Sequence, residues 1–109
     1  MYARVIEWDG VTMAEIDRDL AYMRDEVVPE AEEIAGMSGA LMLVDRPGGR
    51  LLSITLYADQ PSLEASREPA QILRELLEQR MALRHPPVVQ ELEVGIAILN
   101  ASALGLPQG

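Results

Sequence analysis

Ala40-Leu41-Met42-Leu43-Val44-Asp45-Arg46-Pro47-Gly48-Gly49-Arg50-Leu51-Leu52-Ser53-Ile54-Thr55-Leu56-Tyr57 decides how the chain folds. Two apolar runs, each too short for a buried helix, flank a turn of Arg46-Pro47-Gly48-Gly49. That pattern predicts a β-hairpin with strands over 39–45 and 51–57. Its strands are apolar on both faces. Leu41 and Leu43 point one way and Met42 and Val44 the other, whereas a sheet covered on one side alternates apolar with polar residues.

Working outward, residues 2–8 carry β-branched and aromatic side chains and stop at Asp9-Gly10, as a first strand would. Thr12 and Glu15 have the spacing of a capping box. Ile16, Leu20, Met23 and Val27 follow at helical intervals, with charged residues between them. Pro29 should kink or end this helix, and Gly36 supplies a terminator. Beyond the hairpin, Asp59 is placed to cap a second helix whose buried side runs through Leu63, Ile72, Leu73, Leu76 and Leu77, with Pro69 dividing it in two. His85-Pro86-Pro87 is extended, and 88–99 reads as a last strand with Leu92, Val94, Ile96 and Ile98 on one face.

The order is β, α, β-hairpin, α, β. It predicts an α+β, ferredoxin-like βαββαβ domain over residues 1–99: a four-stranded antiparallel sheet with two helices on one face, and a short C-terminal tail over 100–109. The hairpin would leave an apolar sheet face uncovered, larger than soluble monomers tolerate. A second copy of the chain is the economical cover, so a homodimer is expected.

Composition narrows the function classes. The net charge of −9 disfavours nucleic acid and anionic membrane surfaces. Cys is absent, which removes disulfides, thiolate metal sites and a thiol nucleophile. No stretch has the length of a membrane span or a signal peptide, so a cytoplasmic, soluble protein is expected. His85 is the single His and has no second ligand-type residue near it in sequence, so no metal is expected.

These residues resemble the dimeric α/β barrel superfamily, specifically its antibiotic biosynthesis monooxygenase-like branch. The likeness spans Tyr2 to Leu99 and is clearest over Gly36 to Arg50 and Leu52 to Tyr57, with paired glycines entering the second strand and an Asp45-Arg46 turn. Ser66 and Arg74 stand where similar sequences carry Ser and Arg. The resemblance implies a pocket between sheet and helices, dimerisation through the sheets, and no cofactor. Activities on this fold include oxygenation of quinols and anthrones, haem degradation and isomerisation. The haem-degrading pattern is not matched: the first strand lacks Asn, Tyr57 replaces the Trp that ends the third strand, and the helix from Pro61 to Met81 has no His.

Ser53, Thr55 and Tyr57 alternate along one strand and share a face, which the resemblance turns toward the helices. With Trp8, Ser66 and Arg74 they form the candidate ligand pocket, while Leu52, Ile54 and Leu56 would enter the dimer interface. Trp8 and Tyr57 suit stacking on a planar ring. Arg4, Arg67 and Arg74 are cations for an oxyanion, or surface partners of acids such as Glu7, Glu64 and Glu78. Two readings follow: a cofactor-free monooxygenase acting on a small aromatic or quinol-like compound, and a non-enzymatic homodimeric module that binds or senses a small apolar ligand.

Overall fold

The computed structural model describes residues 1–81 and 83–100. Strands β1 (Tyr2–Trp8), β2 (Met37–Asp45), β3 (Arg50–Tyr57) and β4 (Val88–Glu93) form one antiparallel sheet in the order β2-β3-β1-β4. Helices α1 (Met13–Tyr22), α2 (Val28–Ala31) and α3 (Gln60–Glu78) complete the ferredoxin-like arrangement. The expected tail lies, from residue 101 on, outside the described residues.

Local sequence sets each boundary. Thr12 and Glu15 make the capping box at the start of α1. Pro29 has no N–H to give Asp25, and its ring would strike that carbonyl in a regular helix. The chain responds with a π-helical turn at Met23–Val27, in which the Val28 N–H reaches back to the Met23 carbonyl, and continues as α2. Asp59 caps α3 by accepting from the Ser62 N–H.

Two elements differ from expectation. Pro69 does not divide α3, which runs unbroken from Gln60 to Glu78. Packing on both sides of the proline holds the helix together, with Leu63, Ser66 and Leu77 all buried beneath it. The last strand ends at Glu93 rather than Leu99. Its neighbour β1 begins at Tyr2, and the Val94 N–H donates to the Met1 carbonyl (2.9 Å) just past the paired rows.

The sheet's two faces are unlike. Ile6, Trp8 and Leu51 turn toward the helices and join Ile16, Met23, Leu77 and Met81 in the core. Because register fixes parity, Ser53, Thr55 and Tyr57 share the face of Leu51. The opposite face presents Leu41, Leu43, Leu52, Ile54, Val88 and Leu92, and no element among the described residues covers it. Leu41, Leu43, Val88 and Leu92 are exposed.

The hairpin turn is locked to the start of α1. Gly49 adopts φ +65° while its carbonyl accepts the Val11 N–H at 2.9 Å. A Cβ there would stand 2.5 Å from the Val11 carbonyl oxygen, so glycine is required for the approach.

Candidate functional site

Between the sheet and α3 lies a polar layer organised by one cation. Arg4, on β1, is 4% exposed. Its guanidinium donates to the Tyr57 hydroxyl (2.9 Å), to Ser66 Oγ (3.1 Å), to the Leu63 carbonyl (3.4 Å) and to Glu91 Oε2 (2.9 Å). β-sheet register places Arg4 between Thr55 and Glu91, so the ion pair crosses adjacent strands. Arg67 on α3 closes the other side of Glu91 at 2.8 Å. The Glu91 carboxyl is held below the usual glutamate range, first by the hydrogen bond from Arg67 and then by Arg4, with burial opposing both. Tyr57 and Ser66 are each 1% exposed, and Ser66 donates its own proton to the Leu63 carbonyl.

At the other end of the layer, Trp8 is part of the core and its indole N–H donates to Glu78 Oε1 at 3.3 Å. Arg74 Nε lies 3.4 Å from the same oxygen, close enough to pair but not aligned for a hydrogen bond. Between the two ends, Ser53 and Thr55 are half-buried, and Thr55 Oγ1 is a buried polar atom with no hydrogen-bond partner.

Of the six residues singled out from the sequence, four fall into two groups in the layer between the sheet and α3, and Ser53 and Thr55 lie between those groups on β3. Tyr57 and Ser66 join through Arg4, while Trp8 and Arg74 meet at Glu78. Arg4 is no surface partner of Glu7, which pairs instead with Arg50. Arg67 takes Glu91 rather than Glu64, and Arg74 does pair with Glu78. His85 sits 2.7 Å from Asp9, both more than half exposed. Among the described residues no three His, Cys, Asp or Glu side chains come together as metal ligands.

Two features escaped the sequence reading. Asp19 stands among the charged residues of α1, yet it faces inward with Ile16 and Met23 and is 3% exposed. Burial is the main force pushing its carboxyl above the usual aspartate range, and Oδ2 has no partner. Its i+3 spacing from Ile16 was the available signal. The second feature is a groove of about 410 Å³ between α2 and α3, lined by Glu30, Glu33, Ile34, Ala35, Ala65, Pro69, Ile72 and Leu73. Pro69 lacks the N–H that would meet the Ala65 carbonyl in a regular helix, and both residues line the groove. None of the six sequence-picked residues lines it.

Known structures share this architecture. A Streptomyces coelicolor monooxygenase from the gene ActVA-Orf6, solved with nanaomycin D, superposes with a TM-score of 0.72 at 17% identity, covering 91% of each chain. An antibiotic biosynthesis monooxygenase matches with a TM-score of 0.61 at 20% identity, over 86% of this chain and 98% of that one. The chain has the antibiotic biosynthesis monooxygenase-like fold. A dimeric ferredoxin-like protein from an uncultured marine organism shares that fold, with a TM-score of 0.68 at 13% identity over 92% of this chain and 100% of the other.

No protein-family model matches the chain. By sequence it is similar to two uncharacterized proteins of Mycobacterium tuberculosis. Rv2558 is 32% identical over 100 residues, which is 92% of this chain and 40% of that protein. Rv2557 is 30% identical over 79 residues, which is 72% of this chain and 34% of that protein. The chain therefore spans about a third to two-fifths of the curated relatives it matches. Within the antibiotic biosynthesis monooxygenase-like fold, likeness at these identities speaks to architecture, since one fold serves many chemistries.

Proposed function

We propose that the chain is a homodimeric binding module for a small, largely apolar molecule. The observation that carries the reading is the groove beside Pro69. Its volume of about 410 Å³ falls in the range of small-molecule sites, and Ile34, Ile72 and Leu73 give it apolar walls. The carboxylates of Glu30 and Glu33 favour a ligand that carries a hydroxyl or amine donor. By contrast, the Arg4–Tyr57–Ser66–Glu91 layer serves the fold. Its donors and acceptors satisfy one another, and Tyr57 is sealed from anything entering from solvent. The open apolar sheet face supports pairing with a second copy.

A cofactor-free monooxygenase is the second reading. It is favoured by the likeness to the Streptomyces coelicolor monooxygenase and by Thr55 Oγ1, a buried hydroxyl with capacity to spare under the helices. In such a reaction the substrate itself supplies the electrons. An anthrone methylene becomes a carbonyl as one atom of O₂ enters, and the other leaves as water with the two methylene hydrogens.

Calorimetric titration with a panel of hydroquinones, anthrones and aromatic amines tests both readings, run beside an oxygen electrode. Saturable binding that is lost on Leu73→Trp, which fills the groove, supports the module. Oxygen uptake without added cofactor moves the assignment to the oxygenase. A panel that gives no binding to the folded protein overturns the small-ligand reading.

A further inference from the structure

Helix α3 carries two stripes along its length, and the fold buries only one of them. Leu63, Ser66 and Leu77 make its buried side. Ala65, Pro69, Ile72 and Leu76 recur at intervals of four, three and four residues, which keeps them together on another face. All four are exposed, Ile72 at 53% and Leu76 at 49%. The stripe runs for about 16 Å along the helix. Its first three residues, with Leu73, make one wall of the groove, and Ile34 and Ala35 stand across from them. An apolar seam of this spacing beside a groove is the surface one helix presents to another.

Charge decides which kind of helix fits. Glu30 and Glu33 belong to the far wall of the groove. Glu68 and Glu75 each precede a member of the seam, Pro69 and Leu76, and so lie along its opposite border. All four carboxylates are exposed, and none has an ion-pair partner among the described residues. No Arg lines the groove. Two copies meeting through this face would set carboxylate against carboxylate, and an anionic lipid surface meets the same repulsion.

We propose that the exposed face of α3, together with the α2 side of the groove, docks a basic amphipathic helix of a partner protein. Apolar side chains of that helix lie along Ala65, Pro69, Ile72 and Leu76, and its Lys or Arg residues reach the acidic borders on either side. The inference goes beyond the small-ligand reading, because it covers the flank of the groove and names a macromolecular partner. A helix and a small ligand would share Ile72 and Leu73, so each excludes the other.

Fluorescence anisotropy on the intact protein tests this with two labelled helical peptides, a Leu/Lys repeat and a Leu/Glu repeat with the same apolar face, each about five turns long. The Leu/Lys peptide should bind at least tenfold more tightly than the Leu/Glu peptide, and more weakly as salt rises. Ile72→Ser/Leu76→Ser alters only exposed side chains and should cost the Leu/Lys peptide at least tenfold in affinity. Glu30→Lys/Glu33→Lys should shrink or reverse the preference between the two peptides. Equal binding of both peptides, or binding of neither, overturns the docking face. Leu/Lys binding that the Ser variant leaves intact also overturns it, since that is attraction to the net charge of −9 alone. A parent dimer that Ile72→Ser/Leu76→Ser converts to monomer in sedimentation equilibrium gives the face to a second copy and overturns the partner helix. None of these outcomes involves a small ligand, so the small-ligand reading stands or falls separately by calorimetry.

Discussion

Removing the guanidinium of Arg4 measures how far the polar layer supports the fold. Arg4→Met keeps most of the apolar stem and deletes four hydrogen bonds. Ser66 is little affected, because its proton already goes to the Leu63 carbonyl. Glu91 is a quarter exposed and keeps Arg67, so its charge is not stranded. The main loss falls on Tyr57, whose sealed hydroxyl is left without its donor at a cost of about 1–3 kcal/mol. With the charge-assisted bonds lost as well, about 2–3 kcal/mol is expected for Arg4→Met, and about 1 kcal/mol for Tyr57→Phe. For a domain of this size, the larger figure corresponds to a fall in Tm of roughly 10–20 °C. Trp8, the single tryptophan and a core residue, reports unfolding by fluorescence, read at one protein concentration so that association does not shift the midpoint. Glu91→Gln should cost about 3 kcal/mol alone, since it leaves Arg4 buried against a neutral amide. In the Arg4→Met background most of that penalty should vanish. Additivity within about 0.5 kcal/mol would show that the two residues do not act as one unit and refute the reasoning.

Acid titration should reveal opposite signs at two carboxyls. Glu91 is depressed in the fold, so its contribution is present above its unfolded pKa and is lost as pH falls through the folded value; Glu91→Gln should flatten that acid limb. Asp19 is raised, so stability falls as pH rises from its unfolded pKa to its folded one; Asp19→Asn should stabilise the protein at neutral pH, an advantage that shrinks in acid, read by urea midpoints. Gly49→Ala should cost about 1–3 kcal/mol of stability, read as a lower urea midpoint, through strain at positive φ and collision with the Val11 carbonyl, while a midpoint at parent level would contradict that contact. Ile54→Asp places a carboxylate in the open face and should shift light scattering from dimer to monomer or unfold the chain; an intact dimer would count against sheet pairing.

The fold was legible because hairpin, capping box and alternation are local signals. Thr12 with Glu15, or Pro47 with Gly48, carries its meaning within four residues. The site was less so. That Ser53, Thr55 and Tyr57 face the helices follows from parity only once one residue of β3 is oriented, and apolarity alone favoured the reverse. The resemblance supplied that orientation, and the register of Trp8 with Leu51 carries it. The sequence leaves Arg4 open between a cation for an oxyanion and a surface partner, because a strand sequence does not say which neighbours it will gain. Its partners come from 53, 62 and 87 positions away. The length of the last strand escapes the sequence for a related reason: alternation over residues 94–99 states which side chains share a face, and it does not state how far main-chain pairing goes.

The sheet order also sets the tempo of folding. Strand β1 is made first yet ends in the interior of the sheet, between β3 and β4. Until residues 50–57 arrive it has no partner, and until 88–93 arrive it has only one. Closing loops of that span before any contact is gained makes the domain slower to fold than a helical bundle of its size. Meanwhile the Arg4 guanidinium waits for its only anionic acceptor, since Glu91 comes last of the four. A substitution that delays docking of β4 therefore prolongs an intermediate with a bare central strand, and the yield of folded protein will fall before its final stability does.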